Sequence, residues 1–370
     1  MASQGQAKVV VNLSDFESAA REVLDPVDYD YYASGAEEEQ TLRRNYEAWR
    51  EITIWPRILV DVSQVSLKTR FLGVELDMPV MVPPMAMQKL AHSDGEVGLA
   101  AAAAEAGVMY CITQQATTKL ETICEQAPGP KLFQMYMFKD RKNTEALLRR
   151  AESSKVLAIV VTVDSPVLGR REKDIRNKFT PASRGVEIVN WKDEAKPKDG
   201  NVQQAVAART GSRDSGFSWE GLAWLRTATK LPVILKGVEH PADARRAVEA
   251  GCSAIWVSNH GGRQLDGGPA TAEALPGVVA AVQGRVPVIV DGGVTRGADV
   301  LRGLALGASI VCVGRPLLWA LAADGKAGAK MALGMVREEL STALALSGVA
   351  GVDGISRDLV QAPGDPRPRL

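Results

Sequence analysis

Eight short apolar runs recur along the chain, at 78–86, 108–113, 131–137, 157–164, 232–237, 254–260, 287–293 and 308–315, each with the unbroken hydrophobicity of a strand buried on both faces. Between them lie amphipathic stretches with helical spacing, at 96–106, 144–152, 219–228, 242–250, 272–282 and 298–306, several closing on Gly before the next run. Eight strand-then-helix units predict an α/β fold, a (β/α)8 barrel of the TIM type. A doubly wound sheet is the competing arrangement, but it carries a Gly-rich dinucleotide turn after its first strand, and here Pro83-Pro84 follows instead. The 370 residues then read as one unit: an N-terminal helical extension over 1–77, a barrel over 78–330, and a C-terminal helix and tail over 331–370.

In the extension, Ser14-x-x-Glu17 has capping-box spacing and predicts a helix start, with a second helical stretch over 26–33. Between strands four and five, 170–216 is charged, rich in Gly, Ser and Lys, and too long for an ordinary connection. It reads as a lid over the site or as a disordered insertion. Lys and Arg number 44 and so do Asp and Glu, which removes any chain-wide footprint for nucleic acid or an anionic membrane surface. Residues 1–8 are polar, without the apolar stretch of a secretory signal, and 99–106 is too short to span a bilayer. Cys111, Cys124, Cys252 and Cys312 form no C-x-x-C pair, so reduced buried thiols are expected rather than disulfides or a metal site, and a cytoplasmic or similar compartment. The terminal Pro368-Arg369-Leu370 resembles the S-K-L peroxisomal address, with Pro where a small residue is usual.

Polar residues gather at the C-terminal ends of the runs: Thr113 and Gln115, Gln134 and Tyr136, Thr162 and Asp164, Lys236, Ser258 and His260, Asp291, and Arg315. Barrel enzymes build their sites on that face. His260 and Arg263, on the turn of Ser258-Asn-His-Gly-Gly-Arg-Gln-Leu-Asp266, can address one small anion, the imidazole acting as base and the guanidinium holding a carboxylate. Lys236 closes a buried strand and needs an anionic partner. It could form a Schiff base, hold negative charge on a cofactor ring, or pair structurally with Asp291 or Asp164. The turns Asp291-Gly292-Gly293 and Gly314-Arg315 end strands seven and eight, where barrels commonly bind phosphate. His92 and His240 precede helices and read as caps or surface residues; three scattered histidines offer no metal spacing.

With Tyr29-Asp-Tyr31-Tyr-Ala-Ser-Gly-Ala36, Thr162-Val-Asp164-Ser-Pro166, Leu168-Gly-Arg-Arg171-Glu172 and the His260 segment, the chain resembles the FMN-dependent (S)-2-hydroxy-acid oxidases, in particular the plant-type glycolate oxidase and L-lactate oxidase branch. The resemblance runs from about residue 13 to the C-terminus. It implies FMN contacts at Pro84, Met85, Ala86, Thr113, Gln134, Thr162, Lys236, Ser258, Asp291, Gly292 and Thr295, with the phosphate against Gly293, Gly314 and Arg315. It implies Tyr31, Tyr136, Arg171, His260 and Arg263 around the substrate, with His260, Asp164 and Tyr136 catalytic. On residue type alone, Tyr31 would be core and Arg171 solvated surface. The activity implied is oxidation of glycolate or L-lactate to the 2-oxo acid, dioxygen becoming hydrogen peroxide, in a homo-oligomer of four or more subunits.

Three positions depart from that pattern: Gln115 where plant glycolate oxidases carry Trp, Met85 where Thr is usual, and Thr295 where Arg is common. Gln115 should open room for the methyl group of lactate. The rival readings are a flavin dehydrogenase with another acceptor and, from a different class, a phosphate-binding isomerase or synthase using Lys236 as nucleophile.

Overall fold

The computed structural model describes residues 9–190 and 213–365; the 1–8 segment, 191–212 of the expected lid and the terminal tripeptide lie outside the described residues. Eight strands form the centre: β1 (Val80–Val82), β2 (Met109–Thr113), β3 (Lys131–Met135), β4 (Ile159–Thr162), β5 (Val233–Lys236), β6 (Ala254–Val257), β7 (Val288–Val290) and β8 (Ile310–Cys312). They close into a barrel in chain order, every neighbour parallel, with Val80 paired to Val311 at the closure.

Side chains alternate in and out along each strand. The inward set, including Met81, Met109, Cys111, Leu132, Val160, Ile234, Trp256, Ile289 and Cys312, packs as one cluster inside the barrel with Phe71 and Leu76. Phe71 and Leu76 come from the antiparallel hairpin of Thr69–Phe71 and Val74–Leu76. The outward set packs on the surrounding helices. Two residues beyond the last inward apolar side chain, the same parity delivers a polar one: Thr113, Gln134, Thr162, Lys236, Ser258 and Asp291. The site is thus set by register, since Thr113 pairs with Gln134 and Thr162 with Lys236.

Three helices precede the barrel: α1 (Leu13–Val23), α2 (Pro26–Ala33) and α3 (Gln40–Glu51). The cap of α1 differs from the expected one. Asn12 Oδ1 accepts from the Ser14 and Asp15 amides, Asp15 reaches back to the Asn12 amide, and Glu17 instead accepts from the Tyr29 hydroxyl at 2.9 Å. Asn-x-x-Asp satisfies the same orphan amides two residues earlier, so the Ser14 box is superseded.

Between strands run α4 (Gly95–Glu105), α5 (Leu120–Gln126), α6 (Arg141–Ser153), α7 (Glu172–Arg176), α8 (Trp219–Ala228), α9 (Pro241–Glu249), α10 (Thr271–Val282) and α11 (Gly297–Ala305). After β8 the chain enters α12 (Arg315–Leu346), broken at Asp324 and Gly325, where φ is 53° at the glycine. The expected boundary at 331 therefore falls inside a helix that begins at the site itself. α12 packs against both α1 and α4, which ties the extension to the barrel. The described part of the 170–216 insertion is folded, not a free loop. Arg184 bonds both Asp28 oxygens, Asn177 donates to Asp30, and Phe179 stacks on Tyr31 at 4.2 Å.

Cys111, Cys252 and Cys312 are buried and, like Cys124, free. No helix among the described residues is long and apolar enough to cross a membrane.

Candidate active site

The C-terminal ends of the strands surround a cavity of about 1130 Å³, mouth included, roofed by Tyr31 and Tyr32 of α2 and by Leu168 and Arg171 of the segment after β4. Its floor carries Thr113, Gln134, Thr162 and Lys236, and its rim His260, Arg263, Gly293 and Arg315. The segments after β4, β6 and β7 continue the inward parity into Asp164, His260 and Asp291.

His260 lines the cavity at its rim. Its φ of 59° is left-handed, an unusual state for a residue with a Cβ, and it turns the ring back over the barrel mouth. Nδ1 lies 2.8 Å from Asp164 Oδ1, while Nε2 faces the Tyr136 hydroxyl at 3.5 Å. Burial lowers the His260 pKa below its ordinary 6.5, with Asp164 opposing, so the imidazole is neutral at neutral pH. Burial alone would raise Asp164, but His260 and Lys236 hold it down at about 2. A neutral base backed by a fixed carboxylate can accept a proton and have the resulting charge stabilised.

Two cationic side chains line the same cavity. Arg263 is half-buried, its Nη1 donating to the Ser34 carbonyl at 2.6 Å and its guanidinium 5.1 Å from the Tyr31 ring centroid. Burial, and next Arg171, push its pKa down to about 9. Arg171, expected on residue type to be solvated, is only 7% exposed and lines the cavity. Tyr31, which residue type alone assigns to the core, is both: it stacks in the roof and faces the cavity.

On the other side, Thr113 Oγ1 donates to Gln134 Oε1 and Gln134 Nε2 to Thr162 Oγ1, each at 2.9 Å, a polar ladder across three strands. Lys236 Nζ donates to Ser258 Oγ at 2.8 Å and lies 3.4 Å from Asp291 Oδ2. Burial works against its charge, but Asp291 and Asp164 outweigh it and raise the pKa. The structural ion pair is therefore present, and the lysine has no neutral amine to offer as a nucleophile. Pro84, Met85 and Ala86 line the adjacent wall, and Gly292, Gly293 and Gly314 line the far end beside the N-terminus of α12.

Two expected cofactor contacts are relocated. Thr295 does not line the cavity; its amide and hydroxyl bond Asp299 in the first turn of α11. Ser258 is fully buried behind Lys236, accepting also from the His260 amide at 3.1 Å, and supports rather than lines. Arg315 lines the cavity, yet its fork donates to the carbonyls of Tyr32, Gly261 and Ser34. It clamps the roof to the rim, and the glycine amides and the α12 terminus are left for a phosphate. Gly293 is demanded by packing too: at φ 77° a Cβ would run into the Asn45 carbonyl of α3.

The residues fit flavin mononucleotide. A polar ladder and a protonated lysine suit the ring's polar edge, buried Asp291 Oδ1 has no hydrogen-bond partner, and the glycine end suits the phosphate. Sequence reasoning missed Tyr32, Tyr46 and Arg213 in the lining. Their signal is tertiary, since all three come from segments outside the strand–helix pattern. His240 caps α9 and His92 accepts from the Asp94 amide, as their positions before helices suggested.

Comparison with known proteins gives the same picture. The family model described as FMN-dependent dehydrogenase matches residues 20–362. Glycolate oxidase 3 of Arabidopsis thaliana is 46% identical over 358 residues, covering 96% of this chain and 97% of that protein. Glycolate oxidase of Spinacia oleracea is 44% identical over 360 residues, covering 96% and 97%. Among solved structures, mandelate oxidase with (S)-4-hydroxymandelic acid superposes with a TM-score of 0.90 at 41% identity, covering 95% of this chain and 98% of that one. With its eight-stranded barrel, its His260–Asp164 couple and this match over nearly the whole length, the chain belongs to the FMN-dependent dehydrogenase family.

Proposed function

We propose that the protein oxidises small (S)-2-hydroxy acids to 2-oxo acids, with FMN as cofactor and dioxygen as the final acceptor, giving hydrogen peroxide. The observation that carries this is a neutral imidazole 2.8 Å from a carboxylate and 3.5 Å from a phenol, inside a cavity lined by Arg171 and Arg263. FMN, when bound, supplies a two-electron acceptor.

Arg171 and Arg263 hold the substrate carboxylate, an arrangement in which both recover the anion that burial denies them. Tyr31 and Tyr136 address the remaining oxygens, which fixes the α-carbon and its hydroxyl before His260 Nε2. His260 takes the proton released on oxidation, and Asp164 keeps the ring oriented and stabilises the imidazolium. Two electrons and two protons leave the alcohol carbon and oxygen as the carbonyl forms. Lys236, kept protonated, balances negative charge at the cofactor end of the cavity, which speaks against the Schiff-base reading.

The relatives named glycolate oxidase and the mandelate oxidase structures bracket the substrate size. Gln115, small beside an indole, lines the cavity and supports use of L-lactate at least as well as glycolate. One methyl group is worth about 1–3 kcal/mol in such a pocket, so kcat/KM for the two acids is decisive, and a strong glycolate preference refutes this choice. The reaction itself is tested by anaerobic mixing with each acid, which should bleach the flavin, followed by a peroxide assay with and without a dye acceptor. No bleaching by any 2-hydroxy acid refutes the reaction; turnover only with dye refutes dioxygen as acceptor.

Ile58 and Leu59, 82% and 100% exposed, support a homo-oligomer that covers them, which light scattering in solution checks. The basic residue before a terminal Leu supports a peroxisomal address, checked by where a fluorescent protein carrying the terminal tripeptide accumulates.

A further inference from the structure

Arg213 stands apart from the cations used above. It enters from the end of the insertion, with its backbone pinned beside β3 by a bridge to Phe138 and by the Asp214 amide donating to the Met137 carbonyl at 2.9 Å. Its guanidinium lies 3.7 Å from the centroid of the Tyr136 ring, the same ring that stands 6.5 Å from His260. The residue is 5% exposed and lines the cavity. Among the described residues no carboxylate pairs with it, and its buried Nε has no hydrogen-bond partner.

The charges around the cavity are otherwise accounted for. Lys236 is paired with Asp291, His260 with Asp164, and Arg315 with three carbonyls. One substrate carboxylate matches Arg171 and Arg263. Arg213 is left as a cation removed from water with only an aromatic face beneath it, and burial lowers its pKa accordingly. Gln115, whose buried Nε2 likewise has no partner, lines the same cavity. A substrate whose side chain ends in an anion would give Arg213 the partner it lacks, with Gln115 a further donor on the same cavity wall, whereas the methyl of lactate or the hydrogen of glycolate would offer neither an acceptor.

We propose that the site is built for 2-hydroxy acids bearing a second carboxylate at the end of a short side chain, with Arg213 as the group that recognises it and Gln115 as its auxiliary donor. This rests on the reaction proposed above and specifies its substrate class. The chemistry is unchanged: the alcohol loses two electrons and two protons at C2, and the distal carboxylate takes no part.

The test uses the FMN-loaded full chain and anaerobic flavin reduction by (S)-malate and (S)-2-hydroxyglutarate, each against an uncharged acid of matching length, (S)-2-hydroxybutyrate or (S)-2-hydroxyvalerate. The wild type should favour the dicarboxylate at least 10-fold in kcat/KM. In Arg213→Leu that ratio should fall about 100-fold, chiefly through KM, and Arg213→Lys should recover part of it. Equilibrium binding of 2-oxoglutarate, followed by the shift of the flavin spectrum, should weaken in parallel and gives a readout independent of turnover. A wild type that favours the uncharged acids, or a ratio that moves less than about 3-fold in Arg213→Leu, overturns the proposal. Failure of every 2-hydroxy acid to reduce the flavin would instead overturn the reaction; reduction by lactate with none by the dicarboxylates overturns only the substrate class.

Discussion

Replacing Asp164 by Asn keeps the shape of the His260 partner and removes its charge. Nδ1 and Oδ1 are 2.8 Å apart, which places the two charge centres about 4 Å from each other once the imidazole is protonated. At an effective dielectric near 20, unit charges at that separation attract by about 4 kcal/mol. If about half the proton has moved in the transition state, about 2 kcal/mol of that is lost, and replacing a charge-assisted hydrogen bond by a neutral one adds about 1 kcal/mol. About 3 kcal/mol corresponds to a slowing of roughly 10²-fold. The assay is stopped-flow flavin reduction under anaerobic conditions at saturating substrate, with FMN content measured on the same sample. Because Asp164 opposes the lowering of the His260 pKa by burial, the variant should also move the acid limb of the pH profile to lower pH. A loss under about 5-fold with FMN retained, or an unmoved acid limb, refutes the reasoning.

Glu239 gives a pH-dependent stability effect. Burial, and next Asp164 and Asp291, raise its pKa from 4.5 to about 7. Between those values the native state keeps a proton that the unfolded chain has lost, so stability falls as pH rises through the window and stays lower above it. Discounted for its partial exposure, the effect is about 1–3 kcal/mol, and Glu239→Gln should raise the denaturation midpoint at pH 8 with convergence near pH 4. Gly293→Ala should lower stability by about 3 kcal/mol or more and impair FMN loading, because its Cβ would meet the Asn45 carbonyl in a left-handed backbone; a variant loading FMN normally at wild-type midpoint contradicts this. Gln115→Trp should shift the kcat/KM ratio toward glycolate over L-lactate by about 10-fold, and an unchanged ratio contradicts the role given to that side chain.

The barrel was legible because two signals coincide. Apolar runs such as Ala254–Val257 are buried on both faces, and inward parity then carries straight on into Ser258 and His260. The same parity made Thr113, Gln134, Thr162 and Lys236 readable as one floor. What was not legible has tertiary causes. Arg171 sits in a charged run that looks solvated, and only the packing of the insertion on α2 buries it. Arg213 follows a stretch with no periodicity, so nothing local marks it as facing Tyr136. Thr295 follows the Gly-rich turn beside the expected phosphate site, but its amide and hydroxyl donate to Asp299 at the start of α11. The start of α1 was misread by two residues because two boxes of equal spacing overlap there.

The most direct test substitutes His260 by Gln and measures flavin reduction by an (S)-2-hydroxy acid in the absence of oxygen, at matched FMN content. The account predicts a fall of about 10³-fold or more, since a general base typically contributes about 10²–10⁴-fold and the Asp164 charge loses its partner. Reduction at the wild-type rate would show that the imidazole is not the proton acceptor.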